Sequence, residues 1–283
     1  MNKADFSDLA DKTCVITGGA GVIGSSIVEG LAAAGMNTVI LDINTELAGK
    51  VAEEVKSKTG ARVLGLKADV LDRASLEAAR DTIHDEFGRI HYLINGAGGN
   101  SPKATTKVEE MDEGSKTDWE STFFGLGLEG FDWVFDLNFK GTLLTSVILG
   151  KDMVEEGSGA ILNISSMTSY KPLTKVPAYS AAKAAVNNIT EWLAVHLAKT
   201  GVRVNAVAPG FFLTEQNRFL LVDEKTGKMT PRGEKIIANT PMGRYGEVDE
   251  LQGTVLYLLS DHSRFVTGIV VPVDGGYSAF GGV

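Results

Sequence analysis

A tyrosine and a lysine stand four residues apart in the segment Tyr179-Ser-Ala-Ala-Lys183. On a helix this spacing places the phenol and the ammonium on one face, one turn apart. Ser165 and Ser166 end an apolar run shortly before them. A free phenol has a pKa of about 10, which is too high for efficient proton transfer near neutrality. A neighbouring ammonium favours the phenolate, so this group of residues predicts a general acid/base site built around the tyrosine.

A glycine-rich string, TGGAGVIG, follows the first apolar run and leads into a helical pattern. Glycine permits positive φ in a turn and lets the backbone approach a pyrophosphate closely. The helix that follows presents free N–H groups and the positive end of its dipole to a phosphate. We therefore predict a dinucleotide site formed by Gly18, Gly21, Val22, Ile23 and Gly24.

The second apolar run ends in Asp42, which is followed by Ile43. A carboxylate at this place can accept hydrogen bonds from both hydroxyls of an adenosine ribose, and it repels a 2′-phosphate. No arginine or lysine in the turn or at positions 43–44 offsets this charge. The predicted cofactor is therefore NAD, with NADP less favoured. The simpler alternative is that Asp42 only caps the next helix.

Short apolar runs alternate with longer amphipathic stretches along most of the chain. The predicted strands are Thr13–Thr17, Thr38–Asp42, Arg62–Lys67, His91–Asn95, Ala160–Ser165, Val202–Ala208 and Ile269–Val273. The predicted helices are Gly21–Ala34, Thr45–Lys58, Arg73–Phe87, Phe131–Glu156 and Pro177–Lys199. Strands joined by helices imply a doubly wound, Rossmann-like α/β fold, a seven-stranded parallel sheet with its ligand crevice at the carboxyl ends of the strands.

Length and composition limit the class of protein. A chain of 283 residues that is 43% hydrophobic suits one NAD(P)-binding domain over residues 1–283. The net charge of −9 argues against nucleic acid and anionic membranes as partners. No run reaches a membrane span of roughly 18 residues and no signal peptide is evident, so a cytoplasmic location is expected. A lone Cys14 excludes an internal disulfide, and the scattered histidines predict no metal site.

Two segments have no regular pattern, residues 100–130 and residues 211–245. Long irregular segments in a compact domain usually serve as lids or partner surfaces. We expect the first to be an insertion beside the site and the second to be a substrate lid.

The order and spacing of these motifs resemble the short-chain dehydrogenase/reductase family over nearly the whole chain. The matching pieces are TGGAGVIG, Asp42, Asp69–Val70, NGAG, DLNFKG, NISS, YSAAK, NAVAPGFFLT and the terminal VDGG. The turn departs from the family at Val22, where a glycine is usual, with Gly21 one place earlier. That departure could reshape the diphosphate contacts, although Gly21 and Gly24 still permit close approach.

The resemblance implies a role for each polar residue. Tyr179 would be the general acid/base, Ser166 would orient the substrate carbonyl or alcohol, and Lys183 would bind the nicotinamide ribose and lower the pKa of the phenol. Asn138, in DLNFKG, would hold a water that relays protons to bulk solvent. The hydride chemistry would belong to the cofactor. Further cofactor contacts are expected at Asp69, Val70, Asn95, Gly96, Ala97, Gly98, Pro209, Gly210, Phe212 and Thr214.

A narrower resemblance is to the D-mannonate oxidoreductase branch, which interconverts D-fructuronate and D-mannonate. The motifs behind it are LINGAGGN, EGFDWVFDLNFKGTLL, PGFFLTEQNRFLL, NTPMGRYGE and VPVDGGYSAFGGV. A sugar acid needs a cation for its carboxylate and polar groups for its hydroxyls. Arg218 is the first candidate because it follows Thr214 on the lid, although it is equally typical of a solvated charge. The other candidates are Asn100, Lys171 and Arg244.

Other functions remain open at this point. One is another sugar-acid or polyol dehydrogenase, such as a gluconate 5-dehydrogenase. A 3-oxoacyl-carrier-protein reductase is less favoured, because it would prefer NADP and a basic docking patch. A catalytically silent nucleotide-sensing protein would be expected to have lost Ser166, Tyr179 or Lys183. The resemblance also implies a homotetramer or homodimer, paired through Phe131–Glu156 and Pro177–Lys199.

Overall fold

Unbroken apolar strands require a cover on both faces of their sheet, because successive side chains of a strand point to opposite sides. Strand β1 (Thr13–Thr17) shows this directly. Cys14 and Ile16 pack into one hydrophobic cluster, whereas Val15 between them packs into another. The computed structural model describes residues 5–213, 221–223 and 227–282, and it places helices against each of these clusters.

Seven parallel strands form one sheet in the order β3–β2–β1–β4–β5–β6–β7. The strand order reverses between β1 and β4, and this switch point is where doubly wound sheets bind ligands. The predicted Rossmann-like, seven-stranded fold is confirmed, and each predicted strand agrees with the observed one to within one residue at either end. The remaining strands are β2 Asn37–Asp42, β3 Val63–Lys67, β4 Tyr92–Asn95, β5 Gly159–Ile164, β6 Val202–Pro209 and β7 Val270–Val273.

Helices cover both faces of the sheet. One face packs against α1 (Val22–Ala33), α2 (Thr45–Thr59) and α9 (Gln252–Leu259). The other packs against α3 (Arg73–Phe87), α5 (Gly141–Leu149), α6 (Lys151–Glu156) and α7 (Pro177–Leu197). The two other helices of the described ranges are α4 (Leu128–Phe135) and α8 (Pro231–Ala238). Within these ranges no helix has the length and apolar character that a bilayer span requires.

The prediction of a single helix over Phe131–Glu156 is wrong in detail, because this part of the chain forms three α-helices, α4, α5 and α6. A π-helical turn, Asp136–Lys140, lies between α4 and α5 and contains Asn138. The apolar pattern continues through the turn, so the sequence did not reveal it. Directly after this turn the backbone packs closely against Val70, since a Cβ at Gly141 would lie 2.8 Å from Cγ2 of Val70. Turns of this kind frequently occur at functional sites.

The two irregular segments contain more structure than their sequences predict. Residues 100–127 contain short 3₁₀ helices, and α4 begins at Leu128 within the predicted insertion. The predicted lid contains α8, which starts where the Thr230 hydroxyl accepts a hydrogen bond from the N–H of Gly233 at 3.1 Å. This helix has only two turns, too few for an apolar period to be recognised.

Two glycines in helices differ in the space around them. Gly24 of α1 approaches the turn after β1 closely, whereas Gly49 of α2 has open space beside it. A Cβ at Gly24 would lie 2.3 Å from the carbonyl oxygen of Gly18, whereas a Cβ at Gly49 would meet nothing within 4 Å. We expect Gly24→Ala to lower the free energy of unfolding by about 1–3 kcal/mol, the usual cost of overpacking. Gly49→Ala should raise it by roughly 0.5–1 kcal/mol, because alanine loses less backbone entropy on folding. Urea denaturation measures both changes, and a neutral Gly24→Ala would contradict the close contact.

Candidate active site

A cleft of about 700 Å³ opens at the carboxyl ends of the strands. Its wall combines the glycine-rich turn after β1, the ends of β2 and β3, the loop after β4, the end of β5, one face of α7 and the segment after β6. The structure therefore brings together residues that are far apart in the chain. The residues predicted from the sequence that line this cleft are Gly18, Gly21, Val22, Ile23, Gly24, Asp42, Ile43, Asp69, Val70, Gly96, Ala97, Gly98, Ser166, Tyr179, Lys183, Pro209, Gly210 and Phe212.

The glycine-rich turn is packed tightly against the loop after β4. Gly18 has a φ of 67°, and a Cβ there would lie 2.8 Å from Cα of Ala97. The buried hydroxyl of Thr17 accepts hydrogen bonds from the N–H groups of Gly96 at 3.1 Å and Ala97 at 3.2 Å. Thr17 thus joins the two loops that form the floor of the cleft. Sequence reasoning missed this role, although a hydroxyl at the end of an apolar strand was its signal.

Asp42 faces the glycine-rich turn and is not the cap of α2. Its carboxylate accepts hydrogen bonds from the N–H groups of Ala20 at 3.3 Å and Asn44 at 3.0 Å. Helix α2 is instead capped by Asn44, whose side chain accepts from the N–H of Leu47 at 3.0 Å. The alternative that Asp42 serves as the helix cap is therefore wrong, and its carboxylate lies in the wall of the cleft.

The two serines at the end of β5 have different surroundings. The Ser165 hydroxyl donates to the side chain of Asn187, one of the residues of α7. The Ser166 hydroxyl accepts from the N–H of Thr168 at 3.2 Å, which fixes its oxygen and leaves its proton to be donated. Its side chain also lowers the pKa of the Tyr179 phenol. Ser166 is thus the serine whose hydroxyl is arranged to act with the tyrosine.

Tyr179 and Lys183 meet as their spacing predicts. Nζ of Lys183 lies 5.6 Å from the centroid of the Tyr179 ring and donates to the carbonyl of Ile164 at 2.8 Å. Burial raises the pKa of the phenol, and the side chain of Ser166 opposes this only in part. Burial also lowers the pKa of Lys183 to about 8. The expected lowering of the phenol pKa is not found in the protein alone, because the loss of hydration outweighs the opposing effect of Ser166.

Asn138 is fully buried, and its side chain is used by the protein itself. Its Nδ2 donates to the carbonyls of Gly99 at 2.7 Å and Val134 at 2.8 Å, while its Oδ1 accepts from the N–H of Gly99 at 3.2 Å. A Cβ at Gly98 would lie 2.6 Å from this Oδ1 and 3.1 Å from Nζ of Lys183. Asn138 therefore positions the loop after β4 beside the lysine. Its part in a proton relay stays a prediction.

None of the three predicted asparagines, Asn95, Asn100 and Asn138, lines the cleft. Asn95 points below it, where Nδ2 donates to Ser146 at 2.9 Å and Asn163 at 2.8 Å. Asn100 is exposed and donates to Thr105 at 2.9 Å. Their contacts with cofactor and substrate stay predictions, because sequence position indicates the end of a strand but not the direction of the side chain. The lining residues that sequence reasoning missed are Ile16, Ile27, Leu41, Ala68, Gly99, Leu137, Ile164, Ser165 and Phe211.

The cations proposed for a substrate carboxylate are differently placed. Arg244 forms a two-point ion pair with Glu250, at 2.6 and 2.7 Å, so its charge is already compensated. Lys171 donates to the carbonyl of Phe280. Thr214 and Arg218, predicted to contact nicotinamide and substrate, lie outside the described residues.

Comparison with known proteins identifies the family. Residues 18–278 match a family model described as enoyl-(acyl carrier protein) reductase. The chain is 50% identical to UxuB, an uncharacterized oxidoreductase of Bacillus subtilis (strain 168), over 98% of each chain. The chain belongs to the short-chain dehydrogenase/reductase family. It is accordingly an oxidoreductase that acts on alcohol groups.

Two further relatives have more specific names. A crystal structure from Haemophilus influenza, provisionally assigned as a D-mannonate oxidoreductase and containing bound NAD, superposes with a TM-score of 0.90 at 45% identity, covering 98% of this chain and 99% of the other. The 2-dehydro-3-deoxy-D-gluconate 5-dehydrogenase of Dickeya dadantii (strain 3937) is 32% identical over 96% of this chain and 97% of its own. Both relatives match from end to end.

The buried ammonium of Lys183 predicts a pH-dependent stability. Its pKa of about 8 lies below the ordinary 10.5, so the folded protein binds fewer protons than the unfolded chain between these values. Burial of the ammonium therefore lowers the free energy of unfolding by its full amount below pH 8. This loss becomes smaller as the pH rises and has disappeared at about pH 10.5. We expect Lys183→Met to stabilise the cofactor-free protein at pH 7 by up to about 3 kcal/mol, and to lose that advantage near pH 10.

Thermal melts of both proteins between pH 7 and pH 10 measure this difference. Lys199 is an exposed lysine beyond the end of α7, and Lys199→Met serves as the control. The control should track the wild type at every pH. A difference in melting temperature between Lys183→Met and the wild type that stays the same from pH 7 to pH 10 would contradict the lowered pKa of Lys183.

Proposed function

We propose that this oxidoreductase uses NAD to interconvert the ketone and the alcohol of a sugar acid, with D-fructuronate and D-mannonate as its pair. The observation behind this proposal is the meeting of Ser166, Tyr179 and Lys183 at one end of a cleft whose other end holds the glycine-rich turn and Asp42. One end is suited to proton transfer and the other to a dinucleotide.

The residues present fit a bound NAD. The turn has no space for a side chain at Gly18 or Gly24, so its backbone is open to a diphosphate. Asp42 and Lys183 both line the cleft; the Asp42 carboxylate would accept from the adenosine ribose hydroxyls, and Lys183 would donate to those of the nicotinamide ribose. Pro209, Gly210 and Phe212 would lie against the nicotinamide, and Asp69 and Val70 near the adenine. When bound, the nicotinamide supplies the hydride donor or acceptor.

The chain's own residues supply proton transfer and orientation. In the direction of reduction, Tyr179 gives its phenolic proton to the substrate oxygen while Ser166 donates a hydrogen bond to the same atom. In the direction of oxidation, the phenolate accepts the proton of the alcohol. The Lys183 ammonium favours the phenolate, and the buried setting strengthens that attraction because the local dielectric is low. Lys183 would be joined in this effect by the positive charge of an oxidised nicotinamide when NAD is bound.

The choice of substrate is supported by the names of the relatives. The proteins named for D-mannonate and for 2-dehydro-3-deoxy-D-gluconate both act on a keto or hydroxy sugar acid. We assign D-fructuronate first because the protein named for D-mannonate is the more similar of the two. The second candidate is the reaction of the 2-dehydro-3-deoxy-D-gluconate 5-dehydrogenase, and its substrate is assayed in the same way as D-fructuronate.

We also propose a homodimer or homotetramer. Apolar side chains remain exposed on the helices that carry the site, namely Trp133 on α4, Val147 on α5 and Trp192 and Val195 on α7. Helices that pair across a two-fold axis would cover them. Light scattering of the purified chain gives the assembly size directly.

Replacement of the phenol tests the chemistry. We expect Tyr179→Phe to lower kcat for D-fructuronate with NADH by about 10²–10⁴-fold, the usual contribution of a general acid, while the dissociation constant of NADH stays the same. Absorbance of the reduced nicotinamide measures the rate, and quenching of protein fluorescence measures binding. Tyr257→Phe removes an exposed hydroxyl on α9 and should behave as the wild type. If the wild type reduces no keto sugar acid, the proposal is wrong.

Replacement of the ribose carboxylate tests the cofactor. We expect Asp42→Asn to lower the ratio of kcat/KM for NADH to that for NADPH about tenfold, which corresponds to roughly 1.4 kcal/mol, because the charge that repels a 2′-phosphate is removed. Asp69→Asn removes a second carboxylate from the same cleft and should leave the ratio unchanged. An equal preference in the wild type would contradict the role of Asp42.

A further inference from the structure

A third polar side chain lies on the face of α7 that carries Tyr179 and Lys183. Asn187 follows Lys183 by four residues, so the three side chains lie one above the other, a helical turn apart. Lys183 donates to the carbonyl of Ile164 at 2.8 Å, and Asn187 accepts the hydroxyl proton of Ser165, the next residue along the chain. The face of α7 that bears the phenol is therefore joined to the end of β5 at two successive residues.

Asn187 also binds the chain on the other side of Ser166. Its Nδ2 donates to Oγ of Ser169 at 2.8 Å. The Ser169 hydroxyl in turn donates to the backbone carbonyl of Ser166 at 2.6 Å, and the backbone N–H of Ser169 donates to the same carbonyl at 3.0 Å. One side chain of α7 thus contacts the residue before the serine and, through Ser169, the carbonyl of the serine itself.

The direction of each hydrogen bond in this network can be assigned. A serine hydroxyl has one proton, and that of Ser169 is donated to the Ser166 carbonyl, so the oxygen of Ser169 accepts from Asn187. The amide nitrogen of Asn187 therefore faces Ser169, and its amide oxygen faces Ser165. An amide satisfies both serines at once because it carries a donor and an acceptor. A carboxylate would compete for the Ser169 proton, and an aliphatic side chain would leave both serines without this partner.

The network decides where the Ser166 hydroxyl stands. Ser166 begins the short 3₁₀ helix Met167–Ser169, and its hydroxyl accepts from the N–H of Thr168. A single turn makes too few hydrogen bonds to be stable alone, so its position depends on contacts with the rest of the fold. Asn187 supplies such a contact from the helix that bears the phenol. The distance between the serine and the phenol is therefore set within one hydrogen-bonded unit.

We propose that Asn187 is a positioning residue for proton transfer, which holds the Ser166 hydroxyl in a fixed place beside the Tyr179 phenol. This rests on the proposed roles of Ser166 and Tyr179 in the oxidation and reduction of an alcohol. The wall of the cleft does not include Asn187, so the residue acts through Ser165 and Ser169. Its loss should slow the reaction and leave the binding of NADH unchanged.

Substitution of Asn187 tests this role in the full-length protein with NAD. We expect Asn187→Leu, which removes both contacts at similar volume, to lower kcat for D-mannonate about tenfold or more. Ser169→Ala should act in the same direction, whereas Ser169→Thr keeps the hydroxyl and should retain most of the rate. Asn188→Leu replaces the exposed neighbouring amide and should behave as the wild type. The dissociation constant of NADH should be the same in all four variants.

A double-mutant cycle with Ser166→Ala separates positioning from general support of the fold. If Asn187 acts through the serine, Asn187→Leu should lower kcat in the wild-type background and leave it almost unchanged in the Ser166→Ala background. Urea denaturation of each variant shows that the protein is folded under the assay conditions. Two reductions of kcat that multiply would show that Asn187 only supports the structure around α7, and would overturn the proposal.

The pH profile of oxidation gives a second test. Oxidation of an alcohol needs the phenolate, so kcat should rise with pH through the apparent pKa of Tyr179. The Ser166 side chain lowers the pKa of this phenol, so Asn187→Leu should raise the apparent pKa, as Ser166→Ala does. Lys183, whose Nζ lies 5.6 Å from the centroid of the phenol ring, is present in both variants. A lower plateau of kcat with an unchanged apparent pKa would contradict the positioning role.

Two alcohols, D-mannonate and the neutral polyol D-mannitol, distinguish this proposal from the proposed function. If the wild type oxidises only D-mannitol, the sugar-acid activity is wrong, and the same cycle measured with D-mannitol decides the role of Asn187. If D-mannonate is oxidised but Asn187→Leu keeps the kcat of the wild type, the proposed function stands and the positioning role is wrong. If neither alcohol is oxidised, both proposals are wrong.

Discussion

The buried ammonium of Lys183 is the constraint around which the site is organised. An ammonium removed from water needs a strong acceptor, and the carbonyl of Ile164, at the very end of β5, supplies it at 2.8 Å. The bond ties α7, which bears Tyr179, to the strand that leads into Ser166. A charge that costs stability in the protein alone is thereby kept beside the phenol that it serves. The low pKa of Lys183 is the measurable sign of that cost.

Polar groups elsewhere at the strand ends serve the same alignment. Below the cleft, Asn95 of β4 donates to Asn163 of β5, and Asn163 donates to Thr190 of α7, each at 2.8 Å. These residues sit in an otherwise apolar layer, where a hydrogen bond left unmade would be expensive. The network therefore fixes the register of two strands and one helix. Asn95 contributes to the alignment of the site by this route.

The sequence predicted features that depend on local chemistry. An apolar run bounded by turn residues gives a strand, and the close approach of Gly18 and Gly24 to other backbone requires glycine, so both could be located in advance. The π-helical turn at Asn138 could not, because the apolar pattern is unbroken across it. The raised pKa of Tyr179 could not either, since it depends on how far the folded chain excludes water. Tertiary partners, such as Glu250 for Arg244, are likewise invisible in a linear pattern.

Different parts of the chain form the cofactor end and the substrate end of the cleft. Backbone and glycine, fixed by the sheet, form much of the cofactor end, so its shape follows from the fold itself. The wall towards Tyr179 also includes Phe211 and Phe212, at the start of the irregular segment after β6. The other irregular segment, residues 100–130, is tied to the catalytic helix, because Ala104 packs in one cluster with Ala178 and Ala182 of α7, against which Tyr179 also packs. The contacts for the cofactor and for proton transfer thus come from the sheet and α7, whereas the segment after β6 is a part of the cleft wall that the sheet does not determine.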